Sequence, residues 1–499
     1  MPNDSTVQST SQSADDGEPL TLPPRTALRW ALGAALGIAA AAILYQAAPG
    51  LGWPLFVAAS ALALLLVERP GRRELLTRRY AAVGLACLVS GAVAVTNIGI
   101  VQLLLYAATL WLGAVVACLG GGLPPESLLV GRLAGAPFVA PVLVLRATTD
   151  SVGEGIGVLG TERSVPPLRG LALALPIVAI LVALLGEADP SFRSFRDAAW
   201  NLVTNLTGLG RVIFGLAVAL LSVGFLGLLR RDGARPFRWR LADKLEPRHT
   251  DVERIIVLGS VAALFALFLV LQVASLFGNP GGRPGSGVTL AEAVHRGFTE
   301  MSVAVALVAV VLALLERRAF RGARESWVAA TVSIVIIECL VLLASAYYRL
   351  VAYEEAYGYT ELRMAVRLYI GFLGVTVVLL AVELNRGLDA ARLCWRVAVA
   401  ALAALAVAGY WNYSAWIVSA NIERYSRTGN LDAEYLARTE DDGLPEIVAL
   451  LPRLGASRRA ELLTKIGGEP RADSSAWFEW NLRRSAARAA RREITHAPR

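Results

Sequence analysis

Residues 347–367 read YYRLVAYEEAYGYTELRMAVR, and they lie between two apolar runs, 327–347 and 365–384. Each run is about the ~20 residues that a helix needs to cross a bilayer. Between them stand Tyr347, Tyr348, Tyr353, Tyr357 and Tyr359, with Glu354, Glu355, Glu361, Arg349, Arg363 and Arg367. A stretch this polar is costly in hydrocarbon, so the chain leaves the membrane here and turns back into it. Gly358 can take the left-handed conformation that ends a helix, and Thr360 is a good N-cap for the next one. The spacing therefore predicts a helix to about Tyr357, a tight reversal, and a second helix from Glu361. Glu361 is favoured by the dipole at that N-terminus, and Arg363 and Arg367, four apart, share a face. Two readings stay open: a capped, salt-bridged hairpin, or a ligand or partner site built on one.

Working outward, the same logic repeats along the chain. The 499 residues are 56% hydrophobic and 18% charged, with mean hydropathy +0.54. A soluble domain of this size could not hide so much apolar surface. Apolar runs fall at about 27–46, 51–67, 80–97, 98–120, 168–186, 211–229, 254–277, 298–315, 327–347, 365–384 and 394–413. Backbone groups in lipid must be satisfied within the segment, so spans of this length are helices. The expected fold is all-α: a polytopic transmembrane bundle of about 11 spans with a small extracytoplasmic C-terminal helical subdomain.

Three parts follow. Residues 1–26 are polar and rich in Ser and Thr, as expected for a disordered cytoplasmic tail. Residues 27–413 form the transmembrane domain, and residues 414–499 the extracytoplasmic helical tail. There LDAEYLART, LPEIVALLPRL and ASRRAELLTKI each read as a short amphipathic helix, and a last helix is expected over about 475–495. Residues 121–167 read as a long cytoplasmic connection whose apolar part carries Pro137 and Pro141 and is too short to cross; it is expected to lie at the interface or pack beneath the bundle. Asp189-Pro190 opens an amphipathic surface helix over 189–206.

Loop charge sets the orientation. Arg69, Arg72, Arg73, Arg78 and Arg79 crowd one loop, and Arg230 to Arg248 another. Arg317 to Arg324 and then Arg386, Arg392 and Arg396 follow, alternating with poorer loops. The rich side is cytoplasmic, which places the N-terminus inside and the C-terminus outside, in the inner membrane of a bacterium. The net charge of +8 thus reports orientation; with no basic face or nucleic-acid motif, the expected partner is the lipid bilayer.

Candidate chemistry is sparse. Cys87, Cys118, Cys339 and Cys394 fall in or beside apolar spans without a CxxC pair, and His249, His295 and His496 are far apart. No metal site and no cofactor is expected. GxSxG, GxxxxGK[ST] and HExxH are absent, so catalysis is not the expected role. Glu338 lies about 16 Å along its helix from Trp327, near mid-membrane. A carboxyl there is either a proton or cation site or a neutral acid hydrogen-bonded to a neighbouring helix. Gln102 and Gln272 read as polar glue between helices. In TLAEAVHRGFTEM (289–301), Thr289 and Glu292 have capping-box spacing, leaving His295, Arg296 and Glu300 at the outer end of a span.

With these residues in hand, the chain resembles an uncharacterised bacterial membrane family, domain-of-unknown-function family 4173, and its sister 4153. The resemblance rests on Tyr353, Glu355, Ala356, Tyr357, Gly358, Thr360, Leu362 and Arg363. It extends to Ala188-Asp189-Pro190 with Phe192, to Thr289, Glu292, Arg296, Gly297, Phe298 and Glu300, and to Asn421, Arg424 and Tyr425. It implies a multi-pass bacterial membrane protein and supplies no activity. The orientation adds that all four segments fall outside the membrane, where their acids and bases are expected to pair. The candidate binding residues are therefore Tyr353, Glu355, Tyr357, Arg363, Glu292, Arg296, Glu300, Asn421 and Arg424, with Glu338 as the intramembrane candidate. The expected role is non-enzymatic binding, sensing or partnership with an envelope protein at the outer face. A proton-coupled secondary transporter and a membrane enzyme acting on lipid-linked substrates are the alternatives.

Overall fold

The computed structural model describes residues 24–120, 130–157, 208–228, 256, 258–267, 269–270, 323–386, 389–439, 441–466 and 476–496. The expected spans at 168–186 and 298–315, the surface helix at 189–206 and the 289–301 segment lie outside them, as does nearly all of the N-terminal tail. Every regular element among the described residues is helical. Among the described residues, six helices are long and apolar enough to cross a membrane, which marks the chain as a membrane protein. The chain divides into two compact units, Met1–Ala41 with Val142–Arg230, and Ala42–Pro141 with Arg231–Arg499.

The first unit holds most of α1 (Pro24–Ile43), the later half of α5 (Val130–Gly157) and α6 (Leu209–Leu228). Within 121–167, read as a connection whose apolar part is too short to cross, α5 is a single helix of 28 residues with Pro137 and Pro141 inside it, and it is not among the described helices apolar enough to span a membrane. Proline is tolerated within helices where neighbouring groups satisfy the freed carbonyls. Without side chains, glycines let backbones approach closely. A Cβ on Gly37 would lie 2.4 Å from the Gly215 carbonyl oxygen, and one on Gly224 would lie 2.0 Å from Thr148 Oγ1 and 2.6 Å from the Val144 carbonyl oxygen. Backbone cannot yield as a flexible side chain does, and overpacking typically costs about 1–3 kcal/mol. Gly224→Ala is thus expected to lower the melting temperature of the purified protein. Gly84→Ala, with nothing within 4 Å of the new methyl, should leave it unchanged or raise it slightly.

In the second unit α2 (Gly52–Glu68), α3 (Arg78–Gly91) and α4 (Gly99–Gly120) run up and down. At 17 residues α2 matches the length of the run that predicted it, whereas α3, at 14 residues, is shorter than its run. A left-handed Arg69 closes α2, its N–H donating to Leu65 O at 2.8 Å. A three-residue 3-10 turn, Ala92–Ala94, ends α3. A short helix α7 (Leu258–Leu267) precedes the long hairpin of α8 (Ala323–Tyr357) and α9 (Glu361–Arg386), and α10 (Ala390–Tyr410) follows. Along α9, Ile370, Leu373, Val377, Leu380 and Leu384 repeat at three and four residues and face Val332, Val335, Cys339, Leu342 and Ala346 of α8. The opposite faces are aliphatic and exposed, among them Ile334, Val341, Val375 and Val382, as lipid-facing helices require.

Five further helices end the chain: α11 (Tyr413–Thr428), α12 (Ala433–Arg438), α13 (Leu444–Leu450), α14 (Ala456–Ile466) and α15 (Leu482–His496). Asn412 caps α11 by accepting Ala415 N–H, and Gly429, at φ 72°, ends it. Val418, Ile422, Leu436, Ile447, Leu450 and Leu462 form the core shared by α11–α14, and α15 packs on it separately through Ala487 and Ala490 against Leu444. The last helix starts later than the sequence predicts, because residues 477–479 form a separate 3-10 turn.

Candidate functional site

At one end of the second unit the chain reverses between α8 and α9, and α11 packs against the reversal. Gly358 sits at φ +89°, donating its N–H to Glu354 O at 2.7 Å. Thr360 caps α9, its Oγ1 accepting Arg363 N–H at 3.3 Å. Both features were legible in the residues alone.

What α11 does there was not. Asn421 bridges both backbone groups of Tyr359: its Oδ1 accepts the N–H at 2.9 Å and its Nδ2 donates to the carbonyl at 2.8 Å. Arg424 donates to the carbonyls of Glu355 (2.8 Å), Ala356 (2.6 Å) and Asn430 (3.3 Å). Two of these belong to the last turn of α8, whose carbonyls have no partner within the helix. Sequence reasoning paired Arg424 with carboxylates; it is instead a clamp on a helix terminus. Tyr435 Oη, from α12, accepts the Glu361 N–H at 2.8 Å, and Ser414 donates to Glu361 Oε1 at 3.2 Å.

The remaining side chains form a second layer beneath the reversal. Glu354, only 1% exposed, pairs with Arg367. Arg367 also lies over the rings of Tyr347 and Trp416, at 5.6 and 5.4 Å. Arg363 stands 4.4 Å over the Tyr353 ring, which packs 4.7 Å from Tyr357, and donates to Gly358 O. Glu355 accepts from Tyr359 Oη at 2.9 Å and faces Arg427 at 3.6 Å. Of the predicted residues, Tyr353, Glu355, Tyr357, Arg363, Asn421 and Arg424 are thus in one zone. Glu292, Arg296 and Glu300 lie outside the described residues. Glu338 is elsewhere, buried halfway along α8, with Oε2 unpartnered among the described residues. The sequence reading omitted Trp416 and named Glu354 and Arg367 only as part of the hairpin; nothing in their spacing shows that a tail helix covers them.

Burial, and next the hydrogen bond to Glu355, push the Tyr359 phenol up to about 12. Burial pushes Tyr435 to about 12 as well. Free phenols ionise near 10. Both groups therefore hold their protons longer in the docked tail than in a released one. Their contribution to docking is complete below about pH 10 and is lost as pH rises through about 12. Tyrosinate absorbance is expected to show these two phenols among those titrating late, and a Tyr359→Phe/Tyr435→Phe variant should lose their share of the late step.

A second polar cluster joins α13 and α15 to the turn between α3 and α4. Asn481 Nδ2 donates to Val93 O and Thr96 O, at 3.0 and 2.8 Å. Thr96 Oγ1 and Asn97 N–H donate to Asp442, at 3.1 and 3.0 Å. Arg484 donates to Asn97 Oδ1 (3.1 Å) and Pro49 O (2.9 Å). Gln102 serves this turn as well, donating to Thr96 O at 2.7 Å, rather than joining helices.

The family model described as "Domain of unknown function (DUF4153)" matches residues 82–450, well over half of the chain. The chain belongs to that family. It is the sister of 4173 in the resemblance carried by the Tyr353–Arg363 motif. No curated protein and no solved structure matches the chain. The DUF4153 region includes the hairpin, Asn421 and Arg424, and ends before Asn481 and Arg484. The clamp on α8 thus lies within the family domain, whereas the α15 anchor lies beyond the matched residues.

Proposed function

We propose that this DUF4153 protein is a multi-pass protein of the bacterial inner membrane that works by binding or sensing at its extracytoplasmic face, without catalysis. Positive-inside bias supports the orientation. The ends of α2, α3, α9 and α10 that hold Arg69, Arg73, Arg79, Arg386 and Arg392 face the cytoplasm. The tail helices α11–α15 lie outside.

The observation that carries the binding reading is the Glu354–Arg367 pair. Glu354 Oε1 and Arg367 Nε are both buried without a hydrogen-bond partner among the described residues. Leaving a buried polar group unpaired costs about 1–3 kcal/mol, more when charged. One acceptor and one donor in the same pair, beside Arg363, suit a small polar ligand or a group from an envelope-protein partner. The test is complementation of a deletion strain by Glu354→Gln, Glu355→Gln and Arg363→Gln, singly and together, at matched protein levels. Loss of function without loss of protein is expected. Full complementation by the triple variant would end the binding-site reading.

A second reading, a proton-coupled secondary transporter, draws on Glu338, whose Oε2 is buried and unpartnered midway along the Ala329–Tyr357 span. It requires Glu338→Gln to abolish a pH-dependent flux while the protein still folds.

A further inference from the structure

The segment Trp477–Arg483 is held rigidly yet turns large aromatic side chains outward. Its inward polar groups fasten it to three helix ends. Leu51 N–H, just before α2, donates to Trp480 O at 2.9 Å, and Ala48 N–H donates to Glu479 Oε1 at 3.1 Å. Asn481 holds the end of α3 through Val93 and Thr96, and Arg483 N–H donates to Val95 O at 3.2 Å. Arg483 also donates through a terminal guanidinium nitrogen to Tyr410 O, at the end of α10, at 3.1 Å.

Against this fixed backbone, the indoles of Trp477 and Trp480 are 65% and 45% exposed. Leu482 is exposed beside them, and so are Tyr410 and Trp411 at the adjoining end of α10. Phe478 packs on Trp477, at 5.7 Å in a T-shaped contact. A rim of rings facing water would forfeit the burial that aromatic side chains ordinarily gain. This rim continues directly into aliphatic surface. Leu55 in the first turn of α2 and Val407 in the last turn of α10 are both exposed. The α10 helix is one of the six apolar enough to cross a membrane, so its exposed side chains meet acyl chains. Indole and phenol rings at the ends of such helices match the headgroup region, where an apolar body and a polar N–H or O–H are both accommodated. Arg483 completes the match. Arg483 is partly exposed beside these rings and keeps its cationic guanidinium at the end of α10, where it donates to Tyr410 O, a charge of the sign that phosphate headgroups attract.

We propose that Trp477, Trp480 and Arg483, with Tyr410 and Trp411, form a docking surface for the phospholipid headgroups of the protein's own leaflet. The C-terminal helices are thereby seated on the bilayer as well as on the helix ends. This requires only that the helices cross a membrane, and it stands apart from any ligand at Glu354.

The test uses the full-length protein in lipid discs of phosphatidylcholine and phosphatidylglycerol, one copy per disc. Single cysteines replace Trp477 or Arg427 in a chain whose four native cysteines are alanine, and each carries an environment-sensitive fluorophore. Arg427, exposed on α11, is the water-facing reference. A lipid quencher carried at headgroup depth is expected to quench the label at 477 several-fold more than the label at 427. A soluble quencher should show the reverse order. Equal access of the soluble quencher to both positions would overturn the proposal by placing the loop in water. Protection of position 477 from both quenchers would overturn it in favour of a protein cover, such as a second copy. If the cysteine-substituted chain does not fold, headgroup-depth quenching of native tryptophan emission replaces it. Trp477→Phe/Trp480→Phe must then remove a disproportionate share of the quenched signal; an unchanged quenched fraction refutes the proposal.

Discussion

Replacing Arg392 and Arg396 together by alanine is expected to lower the melting temperature of the bundle markedly, because it strands a buried carboxylate without its partners. The stranded group is Glu383, fully buried in α9. Its two oxygens take Arg392 Nε at 2.9 Å and Arg392 NH2 at 2.8 Å, and Arg396 as well. The two arginines are only half-buried and can hydrate when Glu383 is removed, so the loss is asymmetric. Glu383→Leu alone should cost far less than the double alanine variant, and Glu383→Leu added to that variant should restore most of its stability. Thermal unfolding of the purified protein decides it. A double variant that melts with the wild type would show that Glu383 is hydrated in solution and that its burial contributes nothing.

Much of the architecture was legible because membrane helices announce themselves by length and apolarity, and because caps are local. Gly358, Thr360 and the helix boundaries at Tyr357 and Glu361 needed only a few adjacent residues to be read. That α5 runs as one unbroken helix was not legible, because two prolines break helices in water more severely than in a packed bundle. The hairpin's motif residues could be singled out, but their partners could not. Arg424 and Asn421 pair with backbone groups, and a backbone carbonyl has no identity in the sequence. The same holds for Asn481 and Arg484, which hold Val93 O, Thr96 O and Pro49 O from more than 380 positions away. Opposite charges invited the expectation of an ion-pair zone. The structure pairs Glu354 with Arg367 and Glu355 with Arg427, but uses Arg424 to finish a helix and leaves Glu423 exposed; Glu292, Arg296 and Glu300 lie outside the described residues.

Arg424→Ala should release the tail from the hairpin before the spans melt. Arg424 is buried, and its guanidinium replaces the missing partners of the Glu355 and Ala356 carbonyls. Hydrogen bonds to a charged donor are worth about 1.5–3 kcal/mol each, and truncation also leaves both acceptors unsatisfied. Two such bonds to the hairpin on one side chain are not additive, so a loss of about 3–5 kcal/mol in docking is expected. Arg424→Lys keeps the charge but presents it as a point, without the fork that reaches two carbonyls at once, and should recover only part of the loss. The readout is hydrogen exchange at the amides of Tyr359 and Glu361, which Asn421 and Tyr435 protect. Both should exchange faster in Arg424→Ala, while amides in the middle of α9 stay protected. The Glu383 clamp joins α9 to α10 at the end of α9 remote from Gly358, with no partner in common with Arg424. The two sets of substitutions should therefore add when combined. A combined loss much smaller than the sum would mean that the tail and the far helix ends unfold as one cooperative unit. Docking of α11 would then stabilise the whole hairpin rather than its last turn.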